Sequence, residues 1–141
     1  MKRRIKYPKR VPTMIAMALN TSYESAELVA LASLRTGTAS KAQFDVLIDC
    51  RNMLALGASK RNDTSVRMVA DLASIAIGNI RDRMEETGKI RATGDELQAL
   101  HAMIDISQDF WRRQGGGTFA ECHAILTAWA NSSQQTQESS A

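Results

Sequence analysis

The stretch TSVRMVADLASIAIGNIRDRMEET, residues 64–87, leaves this chain few choices of fold. Arg67, Asp71, Ser74, Gly78, Arg81, Asp82 and Glu85 recur every three or four positions, while Val66, Val69, Leu72, Ala73, Ile75, Ala76, Ile80 and Met84 fill the other faces. That spacing is the helical period of ~3.6 residues, with a narrow wet stripe and a wide apolar one. At about 1.5 Å per residue such a helix is roughly 36 Å long, enough to cross a small domain. It is expected to be the long central helix of an all-α bundle, and its surplus apolar width leaves room for a homodimer interface.

Four other places carry a helix-start signature, a hydroxyl followed three residues later by a carboxylate or amide. They are Thr21 with Glu24, Ser40 with Gln43, Thr93 with Glu96 and Thr118 with Glu121. Such a box satisfies two backbone amides that the first helical turn leaves unpaired. Gly37, Gly57 and Gly88 then stand where a left-handed residue closes a helix. These signals predict about five helices, at 22–36, 41–56, 64–87, 94–113 and 119–131, with residues 13–19 undecided between a short helix and an extended strap. The second helix should bury Phe44, Leu47, Ile48 and Leu54 and expose Lys41, Asp45, Asp49 and Asn52. The fourth should bury Leu97, Leu100, Met103, Ile104, Phe110 and Trp111, and the last Phe119, Cys122, Ile125, Leu126 and Trp129. The expectation is one helical domain over residues 13–131, a basic arm over 1–12 and a disordered polar tail over 132–141.

Charge is distributed unevenly. Lys2, Arg3, Arg4, Lys6, Lys9 and Arg10 are six of the 18 basic residues, leaving 12 against 15 acidic residues in the remainder, a balance of −3. Pro8 and Pro12 push Tyr7 and Val11 toward extended backbone, so the arm should not be helical. Lysine and arginine on an extended arm meet phosphates through counterion release, and Tyr7 can stack on an exposed base. Lys2, Arg3, Arg4, Lys6, Tyr7, Lys9 and Arg10 are thus the candidate nucleic-acid-binding residues. A solubilising terminus or a grip on an acidic protein surface would use the same charges.

Other chemistries fit less well. LVALASLRTGTASKAQFDVLID reads as helix, turn, helix, but its second helix would turn Asp45 and Asp49 toward DNA phosphates. His101, Asp105 and Asp109 share a helical face, yet that face is the one assigned to water, whereas metal sites in bundles project inward. Cys122 and His123 point about 100° apart and lack zinc spacing, and Gly115–Gly117 lacks the Lys of a phosphate-binding loop. No catalytic set, metal or cofactor is expected. Cys50 and Cys122 read as reduced thiols, and no apolar run approaches the ~20 residues of a membrane span, so a cytoplasmic protein with no membrane partner is expected.

The runs RRIKYPKRVPTM, FDVLIDCRNMLAL and NIRDRMEETGKIRATGDELQALHAMIDISQDFW resemble small helical proteins carried by phages and other mobile elements of proteobacteria, sometimes labelled Fis-type regulators. The label implies DNA binding through a C-terminal helix-turn-helix. Here the final helix, TFAECHAILTAWAN, holds no Lys or Arg, so no functional residue carries over. The expected function is a non-enzymatic accessory or regulatory protein binding nucleic acid through its arm. The alternative is a modulator or inhibitor of a host protein, using acidic faces (Asp45 with Asp49, or Asp105 with Asp109) or aromatic ones.

Overall fold

The computed structural model describes the backbone of residues 13–139 and the side chains of residues 23–132 apart from Gly116. The basic arm, with Lys2, Arg3, Arg4, Lys6, Tyr7, Lys9 and Arg10, lies outside the described residues. The rest forms five α-helices and, among the described residues, no strand: α1 (Thr13–Arg35), α2 (Lys41–Arg61), α3 (Thr64–Thr87), α4 (Gly94–Arg113) and α5 (Gly116–Ser139).

Helices α1 to α4 make a closed ring in which each packs on the next and α4 returns to α1. Short links force neighbours antiparallel, the tightest within the ring being Asn62–Asp63 between α2 and α3. One end of the bundle gathers the α1–α2 and α3–α4 turns; the other gathers the α2–α3 and α4–α5 turns. From that second end α5 runs back along the groove between α1 and α2, joined to α2 by the Lys60–Glu121 ion pair and by Arg61 donating to Thr118 Oγ1 at 3.0 Å. Phe44, Leu47, Leu54, Ile80, Leu100, Met103, Ile104 and Phe110 are fully buried in one continuous core.

Two of the expected helix starts are built as read. Ser40 with Gln43 and Thr93 with Glu96 form reciprocal capping boxes. The other two are corrected. Thr21 lies inside α1, which begins at Thr13 because nothing between Thr13 and Arg35 breaks a helix, and Thr118 lies inside the first turn of α5. Asp63, not read as a cap, accepts from the Val66 amide at 3.1 Å and starts α3.

Gly57 is likewise not the end of α2. It is a buried position inside the helix, and Asn62, in the left-handed conformation at φ 51°, closes it. A Cβ at Gly57 would meet Phe110 at 2.6 Å and Trp111 at 2.8 Å, so the glycine exists to let α4 come close. Helix α5 continues to Ser139 past the boundary expected at 131, since the segment holds neither Gly nor Pro. The side chains of the expected disordered tail from residue 133 onward lie outside the described residues.

The expected central role of α3 also needs correction. It packs mainly on α2 and α4, while α2 touches all four other helices and is the hub. Buried α3 positions are Val66, Ala70, Ala73, Ala76, Ile77 and Ile80, whereas Leu72 and Ile75, expected inside, are 59% and 63% exposed beside Met68. Small alanines draw α3 close to the ring, and its larger apolar residues turn outward. Trp129 is exposed too, while Phe110 and Trp111 are core as expected.

Candidate functional site

The acidic faces read from the sequence are present as solvated surface. On α4, His101 lies 3.7 Å from Asp105, and Asp109 pairs with Arg113 at 2.8 Å, all of them exposed. Among the described residues no cluster of three or more His, Cys, Asp or Glu side chains is placed to hold a metal ion. The cations beside the α2–α3 turn are largely neutralised: Lys60 by Glu121 and Arg67 by Asp71.

The opposite end differs. Arg35 from the end of α1 and Arg91 from the α3–α4 link converge on a groove of about 310 Å³ that also touches Leu34, Thr36, Gly37 and Ala92. Both are exposed, and among the described residues neither is in an ion pair; Lys41 and Lys89 are exposed on the adjoining turns. Glu85, Glu86 and Asp95 flank the groove in sequence, so the positive patch is narrow. Nothing local in the sequence pairs Arg35 with Arg91; only the antiparallel ring brings their turns together.

A second feature lies where α5 covers the α1–α2 groove. A cavity of about 240 Å³ is lined by Tyr23 and Glu27 of α1, by Asp49, Cys50 and Met53 of α2, by Trp111 of α4, and by α5 from Phe119 to Asn131. Its rings form a tilted set. Tyr23 and Phe119 have centroids 5.8 Å apart, Trp111 and Phe119 meet edge-on at 5.1 Å, and Phe119 stacks on His123 at 6.4 Å. Tyr23 Oη lies 2.7 Å from His123 Nε2. Burial, reinforced by Asp49, keeps the phenol above its ordinary pKa, so its hydroxyl donates to Nε2 when the ring carries its proton on Nδ1.

Glu27 is the unusual member. It is only 7% exposed, and no cation faces it among the described residues; its protein partner is the Cys50 thiol. Burial raises its carboxyl to about 7, with Cys50 opposing the rise and Glu24 adding to it. Burial likewise raises Asp49, helped by Asp45 one turn away and opposed by His123. Cys50 is pushed well above the ordinary thiol value by burial and Glu27, and Cys122 upward by burial, so neither is poised as a thiolate nucleophile. The signal for Glu27 was in the sequence. Tyr23, Glu27, Ala30, Leu31 and Leu34 share one helical stripe, which places an acid on the buried side of α1.

Comparison with protein families, with curated proteins and with solved structures finds no match to this chain.

Proposed function

We propose that the chain is a non-enzymatic nucleic-acid-binding protein, with the basic segment over residues 2–10 and the Arg35–Arg91 groove both meeting phosphates. The observation that carries this reading is the groove: two arginines from separate turns reach one surface without a carboxylate partner among the described residues. The six arm cations on a remainder of −3 add to it, as does the resemblance to phage and mobile-element proteins. Arm and groove attach at opposite ends of α1, whose 23 residues span roughly 34 Å, about one turn of duplex DNA.

The test is a salt series of binding to duplex and single-stranded DNA and RNA with the full chain, residues 11–141, and Arg35→Ala/Arg91→Ala. Removing the arm should weaken binding most. The double variant should flatten the log–log salt slope by about 1.8, at roughly 0.9 per duplex phosphate contact. Absence of binding by the full chain at low salt overturns the proposal.

A second reading, a protein-binding modulator, is favoured by one observation. Met68, Leu72 and Ile75 form an exposed apolar stripe along α3, spaced four and three residues apart. In that case Leu72→Glu abolishes capture of the partner, or self-association in sedimentation, and leaves nucleic-acid binding unchanged.

A further inference from the structure

We infer that the cavity between α1, α2 and α5 binds a small primary amine with one ring or a short hydrocarbon body, its ammonium held by Glu27 and its apolar part among Tyr23, Trp111, Phe119 and Leu126. The inference is independent of nucleic-acid binding, since the cavity and the arginine groove are separate.

Three features of the cavity point to this ligand. The first is charge. Glu27 and Asp49 both line the space, no lysine or arginine does among the described residues, and Glu27 is nine-tenths buried. A buried acid is normally paired or hydrogen-bonded to donors that favour its ionised form. Glu96 of this same chain is, whereas among the described residues Glu27 has the Cys50 thiol alone. A ligand that brings N–H donors and one positive charge completes the set that the protein leaves short.

The second is the wall. Tyr23, Trp111, Phe119 and His123 surround the same space at mutual tilts between 12° and 90°. Aromatic enclosures of this kind recognise ammonium groups through the negative faces of the rings. An anionic ligand is disfavoured by both carboxyl groups, and a wholly apolar one leaves the buried Glu27 without the donors it is short of.

The third is size. At about 240 Å³ the cavity exceeds the roughly 150 Å³ that accommodates benzene in an engineered core, so it has room for a ring and an aminomethyl group. Burial holds the Glu27 carboxyl high, at about 7, and an ammonium beside it would lower that value again, so ionisation of the acid and occupation of the cavity are coupled.

The test uses the full chain carrying Trp129→Phe. Of the two tryptophans this leaves Trp111, on the cavity wall, as the reporter, because Trp129 is exposed and does not line the space. Benzylamine is titrated against its neutral counterpart benzyl alcohol, following Trp111 emission and thermal stability. Benzylamine should shift both, and benzyl alcohol should bind more weakly by roughly ten- to hundredfold, the loss expected of one charge-assisted hydrogen bond. Glu27→Gln should remove that preference. Equal binding of amine and alcohol to the parent chain overturns the proposal, as does no binding of benzylamine at low-millimolar concentration. Should Glu27→Gln not fold, the amine-to-alcohol ratio on the parent chain still decides.

Discussion

Glu27 and Glu96 are both 7% exposed, yet the two corners of the bundle treat them in opposite ways. At the α3–α4 corner, Arg83 grips Glu96 with both terminal nitrogens, Nη1 to Oε1 at 2.9 Å and Nη2 to Oε2 at 3.2 Å, and also donates to the Arg91 carbonyl at 2.7 Å. The Thr93 amide donates to the same carboxylate at 2.9 Å. These donors, Arg83 foremost, hold the Glu96 carboxyl below its ordinary value. In the α1–α2–α5 seam Glu27 has the Cys50 thiol and a cavity beside it, and burial lifts its pKa instead. Burial alone therefore says little. An acid with its donors supplied is a corner brace, whereas one without them costs stability and leaves a valence open to something that binds.

The largest expected effect tests that cost. The Glu27 carboxyl ordinarily titrates near 4.5 and in the folded chain near 7. The unfolded chain thus gives up its proton first, and stability falls as pH rises from 4.5 to 7, then stays low. At about 1.4 kcal/mol per pH unit the loss is about 3 kcal/mol, an upper figure. Glu27→Gln should therefore stabilise the chain at pH 8 by up to about 3 kcal/mol in urea unfolding, with the gain vanishing at pH 4. A variant less stable than the parent at pH 8 would mean that Glu27 already has a strong partner.

Gly57 probes how firmly the wall between the two corners is set. Ala normally gains about 1 kcal/mol over Gly inside a helix. Here its methyl would press on the ring atoms of Phe110 and Trp111, which are 1% and 5% exposed, and overpacking of this kind costs about 1–3 kcal/mol. A net loss of up to about 2 kcal/mol is expected in thermal unfolding. Because Trp111 also lines the cavity, a loss near the small end, with Trp111 emission shifted, would show the indole yielding into that space.

Glu96→Gln is the mirror of the first experiment. Gln keeps an oxygen for the Thr93 amide, so the capping box survives and only the negative charge facing Arg83 is lost. Arg83 is one-third exposed, so a loss of about 1 kcal/mol at pH 7 is expected. The sign with pH is opposite to that of Glu27. A depressed carboxyl contributes stability above its ordinary value of 4.5 that is lost as pH falls through its lower folded value, so parent and variant should converge in acid. Two isosteric substitutions at equally buried glutamates should thus move stability in opposite directions.

How much of this was legible follows from how local each feature is. The limits of α3 and α4, at 64–87 and 94–113, were readable from periodicity, a capping box and Gly88, because those signals act within one or two turns. The buried and wet faces of α4 were readable for the same reason. Which face of α3 meets the ring was not. Ala70, Ala73 and Ala76 prevail over Leu72 and Ile75 because close helix approach depends on the partner helices. Gly57 misled for a related reason: its purpose is the rings of Phe110 and Trp111 on another helix. The cavity draws on α1, α2, α4 and α5, so only its single clue, Glu27 on an apolar stripe, was present in one segment.

The smallest effect expected bears on the uncovered side of α3. Gly78 sits there in mid-helix, and a Cβ added to it meets nothing within 4 Å, in contrast to Gly57. In an isolated chain Gly78→Ala should therefore only gain helix propensity, a stabilisation of up to about 1 kcal/mol that is independent of protein concentration. Should a second copy or another protein pack closely on the Met68–Leu72–Ile75 stripe, the same methyl would stand at the contact, where helices approach through small residues. The gain would then shrink or reverse as concentration rises, and sedimentation would show weaker association. Unfolding midpoints of parent and Gly78→Ala at two widely separated concentrations, with nothing else added, thus distinguish a bare helix face from one that the protein keeps covered.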